Sequence, residues 1–267
     1  MNKNLEIAVT ASLKAGKAIM EVYNTAFDVE YKDDNSPLTA ADKQANQIIN
    51  THLKQTPYPI ISEENKQTDY AIRKTWNTCW IVDPVDGTKE FVKRNGEFTV
   101  NIALVSNGIP ELGVIYVPAT QTLYYADVIK KQAYKVILDS HEATLETVIK
   151  NAQVLKPKVI TSEIVKVVGS RSHQNTETLD FIETLKNSGK NIELVSKGSS
   201  IKFCLLAEGL ADIYPRFAPT MEWDTAAGHA ICKAVGINVI SKETNKELLY
   251  NKENLLNPWF VASSNER

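Results

Sequence analysis

Cysteine is scarce in this chain. Cys79, Cys204 and Cys232 are the only three in 267 residues, an odd number, and no two have the close spacing of a metal-binding pair. A disulfide framework and a cysteine-based zinc site are therefore excluded, and thiols in apolar surroundings read as reduced core residues from a reducing compartment. No apolar run approaches the ~18 residues of a membrane span. The opening MNKNLEIAVTASLKAGKAIM mixes polar residues through its apolar set, unlike a signal peptide. The expected location is cytoplasmic, with peripheral contact at the inner face of the cell membrane left open. An excess of charge is missing too. Thirty Lys and Arg face 32 Asp and Glu, for a net charge of −2, and the basic residues are scattered. Broad binding of DNA or RNA by counterion release is excluded, so any nucleotide recognised is a small molecule in a pocket. Internal repeats and low-complexity tracts are also absent.

What is present suits a packed globular chain. Hydrophobic residues make up 43% and charged residues 23%, close to the globular average, so a full core is expected. The length allows one large domain or two ordinary ones. Residues 4–25 and 40–54 carry apolar positions at helical spacing. From 98 to 138, FTVNIALV, ELGVIYV, TLYYADV and AYKVIL are strand-like runs between short turns, predicting an antiparallel meander. Residues 139–160 lack periodicity and are the expected junction. Beyond 165, strands and helices alternate (VKVVGS, a helix near 176–187, IELVS, a helix near 199–208, ADIYPRF, a helix near 223–235, NVIS, WFVAS), which implies a sheet with flanking helices. The expected division is 1–155, α+β, and 156–267, α/β, with an acidic loop between them in space.

That loop is Trp80-Ile81-Val82-Asp83-Pro84-Val85-Asp86-Gly87-Thr88-Lys89-Glu90-Phe91. CWIV reads as a buried strand that Pro84 closes, with Asp83 at its end. Gly87 permits a turn other residues resist. Carboxylates this close repel unless a proton or cation lies between them, and Mg²⁺ suits hard oxygen ligands. Asp residues also cap turns, but further acidic motifs need the same explanation. Ile60-Ile61-Ser62-Glu63-Glu64 ends a strand-like pair in acids, and alternation would turn only one of them to a site. Thr39 and Asp42 have capping-box spacing, with Asp42 alternatively turned inward to a catalytic group. Glu222-Trp223-Asp224-Thr225-Ala226-Ala227-Gly228 puts Asp224 in the first turn of a helix, as cap or as ligand, and its small residues allow close approach.

With S-E-E, D-P-V-D-G-T and W-D-T-A-A-G in this order, the chain resembles the Mg²⁺-dependent, lithium-sensitive phosphomonoesterase superfamily of inositol monophosphatase and fructose-1,6-bisphosphatase, over nearly its whole length. The resemblance implies a layered αβαβα sandwich with two or three Mg²⁺ per site. It implies metal ligands at Glu63, Asp83, the Val85 carbonyl, Asp86 and Asp224, most of them in the first domain, and catalytic roles for Glu63, Asp42 and Thr88 in activating water.

Longer strings narrow the branch. D-G-T-K-E-F-V-K-R-N-G-E-F-T-V-N-I-A-L, G-S-R-S-H, G-S-S-I-K-F-C and Y-P-R-F-A-P-T resemble 3′(2′),5′-bisphosphate nucleotidases of the bacterial CysQ type, whereas the inositol branch usually has T-N-F in place of Lys89-Glu90-Phe91. This implies removal of the 3′-phosphate from adenosine 3′,5′-bisphosphate to give AMP, its sulfated form as a further substrate, and a place in sulfate assimilation. It implies substrate contacts from Glu63, Val85, Asp86, Gly87, Thr88, Ser170, Ser172, His173, Gly198, Ser199, Ser200, Lys202, Arg216 and Asp224. Lys202 and Arg216 would hold a second phosphate, the serines and glycine backbone would donate hydrogen bonds, and His173 would stack on adenine. Ala218 and Thr220-Met221-Glu222 depart from the family's usual forms. An aspartate-nucleophile phosphatase is disfavoured, because its acids lie two apart and these lie three apart. An inositol monophosphatase-type enzyme is the nearest alternative. An inactive metal- or nucleotide-binding protein would be expected to lack an acid or Thr88, and all are present. The sequence leaves the oligomeric state open.

Overall fold

The computed structural model describes residues 1–31, 37–157, 164–169 and 175–264. The chain opens with α1 (Lys3–Tyr23), capped by the Asn2 side chain. A small ribbon of β1 (Val29–Tyr31) and β2 (Pro37–Thr39) leads into α2 (Ala40–Leu53) and β3 (Ile60–Ser62). Then come α3 (Tyr70–Arg73), β4 (Thr78–Asp86) and α4 (Thr88–Val92). The four strands β5 (Thr99–Ser106), β6 (Ile109–Val117), β7 (Thr122–Asp127) and β8 (Gln132–Ile137) pair antiparallel in sequence order, the meander their alternation predicts. The aperiodic stretch after them holds two short elements, α5 (Leu145–Lys150) and β9 (Gln153–Val154). The second half follows its alternating text: β10 (Ile164–Gly169), α6 (Thr176–Asn187), β11 (Asn191–Ser196), α7 (Ile201–Ala207), β12 (Ile213–Arg216), α8 (Glu222–Ala234), β13 (Ile237–Ser241) and β14 (Phe260–Ser264).

Two sheets result. One has seven strands in the order β3-β4-β5-β6-β7-β8-β9, and the other five in the order β11-β10-β12-β14-β13. Strand periodicity sends successive residues of β4 and β5 to opposite faces. Trp80, Val82, Val100 and Ile102 pack with Leu5, Val9, Leu13, Ile49 and Leu53 beneath α1 and α2. Cys79, Ile81, Ala103 and Val105 pack the other way, with Phe203, Ala227, Ile231 and Phe260. Helices α7 and α8 thus lie between the sheets. They approach closely because position 228 is glycine: a Cβ there would fall 2.2 Å from the Phe203 ring. On the outer face, Ile182 of α6 packs on Val165 and Val167. Helix pair, sheet, helix pair, sheet and helix make the layered αβαβα sandwich. Among the described residues no helix is long and apolar enough to cross a membrane.

One local expectation needs correction. Pro84 does not close β4, which runs on to Asp86 with a register shift against β5 between Asp83 and Asp86. The proline is tolerated because β3 ends opposite Val82, leaving that side of β4 without a partner that needs a donor. The shift inserts one extra residue and bends the strand, re-aiming both acids. Within the stretch 139–160, β9 pairs with β8 and extends the seven-stranded sheet.

Candidate active site

The bent end of β4 delivers the acids. Asp83 is 2% exposed, and its Oδ1 accepts from Val85 N at 3.0 Å. Asp86 emerges on the other side of the bulge. Asp224 arrives from across the sandwich in the first turn of α8, where its Oδ2 caps Met221 N at 2.8 Å. One carboxylate oxygen from each of the three lies within 4.8 Å of the others. Burial, then the charges of Glu63, Asp86 and Asp224, push the Asp83 carboxyl well above the usual carboxylate range. Burial and Asp86 push Asp224 up to about 8, against the opposing pull of the Met221 N–H. Without a cation these groups hold protons, and a divalent ion with a preference for oxygen relieves the same repulsion. The donor set fits magnesium. Glu63 acts on both Asp83 and Asp224 through its charge. Strand alternation does not sort it from Glu64, because β3 ends at Ser62 and the two glutamates lie in a turn.

Asp42 divides its carboxylate. Oδ2 accepts from Thr39 N at 2.8 Å and Thr39 Oγ1 at 2.7 Å, completing the capping box of α2. Oδ1 accepts from Thr88 Oγ1 at 3.2 Å. The Thr88 hydroxyl also lies 3.2 Å from the Val85 carbonyl, so its one hydrogen is spent on these acceptors and its lone pairs are left over. Gly87 makes the turn into α4 with φ +92°, a left-handed conformation that favours glycine. Any Cβ there would meet the Glu97 carbonyl at 3.0 Å.

The segment 198–202 closes the other wall. Ser199 has φ +54°, unusual for a residue with a side chain. The turn aims Ser199 Oγ and Ser200 N at Asp86 Oδ2, each at 2.6 Å. Gly198 N donates to Glu97 Oε2 at 2.8 Å. Lys202 is 4% exposed, with its ammonium donating to the Ser199 carbonyl and lying over the Tyr214 ring at 5.4 Å. Burial pushes Lys202 down to about 8, opposed by the Asp86 charge. Arg216, at the end of β12, donates from Nη2 to the Pro219 carbonyl at 2.9 Å, while its Nε is buried without a protein partner among the described residues. Asp86, Glu90, Lys202, Arg216 and Asp224 share one cleft, together with Gly87, Gly198, Ser199 and Ser200. Ser170, Ser172 and His173 lie outside the described residues.

Sequence reasoning missed Thr99 and Asn101. Both are fully buried on β5, where Thr99 Oγ1 meets Ser199 Oγ at 2.6 Å and Asn101 Oδ1 accepts from Ser200 Oγ at 2.7 Å. The available signal was two polar residues two apart, hence on one face, in an otherwise apolar strand.

The sequence profile of the inositol monophosphatase family matches residues 1–264. The chain belongs to that family, whose members depend on magnesium. It is 44% identical over 261 residues to the 3′(2′),5′-bisphosphate nucleotidase CysQ of Salmonella typhimurium, covering 96% of this chain and 98% of that one. The protein of the same name from Escherichia coli K12 is 44% identical over 254 residues, covering 93% and 95%. The crystal structure of CysQ from Bacteroides thetaiotaomicron, 50% identical, superposes with a TM-score of 0.88 over 100% of this chain and 98% of that one. The SuhB protein of Bartonella henselae shares the fold at 22% identity, with a TM-score of 0.76 over 99% and 95%.

Proposed function

We propose that this family member is a magnesium-dependent 3′(2′),5′-bisphosphate nucleotidase that hydrolyses adenosine 3′,5′-bisphosphate to AMP and phosphate. The sulfated 3′-phosphoadenylyl nucleotide would be a further substrate. The observation that carries the nucleotide over the sugar phosphate is a pair of cations, the buried Lys202 and the half-buried Arg216, that line the same cleft as Asp86 and Asp224. A substrate with one phosphate leaves that pair without a counter-charge. Resemblance to the CysQ proteins along nearly the whole chain supports the same reading.

Glu63, Asp83, Asp86, Asp224 and the Val85 carbonyl would hold two or three magnesium ions. Bound there, magnesium supplies Lewis-acid chemistry, lowering the pKa of water and offsetting phosphate charge. The chain's own residues do the rest. Thr88, hydrogen-bonded to Asp42, turns a lone pair to the attacking water, and as it takes the water's proton it passes its own hydroxyl proton to the Asp42 carboxylate. Glu63 helps orient the same water. The Lys202 ammonium and Arg216 guanidinium bind the second phosphate as charge-assisted donors, and the cleft wall of Gly198, Ser199 and Ser200 aligns the ribose and phosphate. Ser170, Ser172 and His173 would complete the nucleotide pocket. Residues 1–155 and 156–267 would act as two domains that each supply one wall of the cleft, in a cytoplasmic enzyme.

The test is phosphate release from adenosine 3′,5′-bisphosphate, its sulfated form and inositol 1-phosphate, with magnesium and after exhaustive chelation. The bisphosphate should be the far better substrate, chelation should abolish turnover, and lithium should inhibit it. Preference for inositol 1-phosphate would overturn the substrate assignment. Full activity after chelation would overturn the metal site.

A further inference from the structure

Glu90 has no role in the site described so far, yet it faces the cleft from α4. Its Cγ lies 3.0 Å from the point a Cβ on Gly198 would occupy, and its Oε2 lies 3.4 Å from the corresponding point on Gly87. The carboxylate therefore hangs beside the turn that joins Asp86 to Thr88. Half-buried there, its side chain makes no hydrogen bond and no ion pair among the described residues. Its charge is felt by Lys202 across the cleft. A carboxylate among phosphate-binding groups repels the ligand unless the ligand brings it a hydrogen-bond donor.

The chemistry of the ligand says which donor. Under the nucleotide reading above, on which this inference rests, the scissile phosphate lies at Asp83, Asp86 and Asp224 and the second phosphate at Lys202 and Arg216. The ribose spans the gap, next to α4. Its two ester oxygens and its ring oxygen carry no hydrogen. Its one donor is the free hydroxyl beside the scissile ester. We propose that Glu90 is a specificity-determining residue that accepts a hydrogen bond from this hydroxyl: the 2′-OH of a 3′,5′-bisphosphate, or the 3′-OH of a 2′,5′-bisphosphate. One carboxylate then serves both isomers, because each presents a hydroxyl on the carbon next to the reacting one. A site that hydrogen-bonds a substrate hydroxyl disfavours the analogue without it, since the half-buried carboxylate then faces the sugar with no donor.

The experiment compares kcat/KM for adenosine 3′,5′-bisphosphate and its 2′-deoxy counterpart in the wild type, Glu90→Gln and Glu90→Ala. The wild type should prefer the ribonucleotide by roughly ten- to a hundredfold, the value of a hydrogen bond to a charged acceptor. In Glu90→Ala the preference should collapse to about twofold, the scatter expected once the two sites no longer couple. Glu90→Gln should fall between, because an amide oxygen still accepts but carries no charge. The ratio within each variant is independent of how much of that variant is folded. An undiminished preference in Glu90→Ala, or no preference in the wild type, overturns the role of Glu90 while leaving the nucleotide reading standing. A wild type that cleaves inositol 1-phosphate and neither nucleotide overturns both.

Discussion

Replacing Asp224 with asparagine should make the metal-free protein more stable at alkaline pH. The wild-type carboxyl is pushed from 3.8 up to about 8, by burial first and by Asp86 second. The folded chain therefore keeps a proton that the unfolded chain has already released. The stability linked to that proton is fully present below about pH 4, falls as pH rises, and is gone above about pH 8. At ~1.4 kcal/mol per pH unit, the whole shift caps the effect at about 6 kcal/mol. Two features reduce it. Asp224 keeps some solvent access at the cleft, and a proton on Asp83 relieves the same repulsion. A gain of about 2–4 kcal/mol remains for the single replacement.

The substitution keeps the local structure, because an amide oxygen accepts from Met221 N as the carboxylate does. In a chain of this size ~1 kcal/mol moves Tm by about 2–4 °C. In chelator at pH 8.5 the asparagine variant should melt above the wild type by roughly 5–15 °C, with the gap closing toward pH 5. Added magnesium should reverse the order, since only the wild type gains the full stabilisation of binding. Thermal melts from pH 5 to 9, in chelator and in magnesium, provide the assay. A gap that does not change with pH, or a variant that melts lower in chelator at pH 8.5, would refute the linkage.

Four further outcomes can be measured. Thr88→Ala should lower kcat by about 10²–10⁴-fold with little change in KM, and Thr88→Ser should recover much of the loss; an effect confined to KM would make Thr88 a binding residue. Lys202→Ala should raise KM for the bisphosphate about tenfold or more and scarcely affect inositol 1-phosphate. With Lys202 pushed down to about 8 by burial, wild-type kcat/KM for the bisphosphate should fall above that pH as the ammonium loses its proton. Gly228→Ala should cost about 1–3 kcal/mol in a urea melt, since its methyl collides with the Phe203 ring and the two helices must part.

The fold was legible wherever burial imposes a period. The helices α1 and α2, the meander, and the alternation after residue 164 all carry one face to a core, and the apolar positions record it. The misreadings occur where period does not decide. Pro84 ends a strand only if its neighbour needs a donor, and sequence does not show that β3 stops opposite Val82, two residues before the proline. Glu63 and Glu64 looked like strand residues because Ile60 and Ile61 are. The short elements α5 and β9 have exposed positions and too few residues for a pattern. The acids themselves were conspicuous, being expensive to bury together. Thr99, Asn101 and Glu90 were not, because a threonine, an asparagine or a glutamate acquires meaning only from the partner that folding brings to it.

Asp42 and Asp224 show why cap and functional readings do not compete. Each is the third residue of its helix, and each spends one oxygen on the backbone N–H at that helix's start. The cap fixes the side chain, so the other oxygen meets the cleft without paying to be ordered there. For Asp42 this sets the direction of a hydrogen bond. As a carboxylate it has no hydrogen to give, so Thr88 must donate to it at 3.2 Å. Asp42→Asn breaks that logic while sparing the helix. The amide oxygen can keep the bond from Thr39 N, which leaves the NH₂ group facing Thr88. The NH₂ group now donates, the Thr88 oxygen accepts, and a lone pair that faced the cleft is consumed. Asp42→Asn should therefore lose kcat about as severely as Thr88→Ala, roughly 10²–10⁴-fold, and keep its Tm within a few degrees of wild type. The double variant should be little worse than either single one, since both break the same proton relay from water through Thr88 to Asp42. Full multiplication of the two losses would show that Asp42 and Thr88 act separately and would sink the assignment of a shared step.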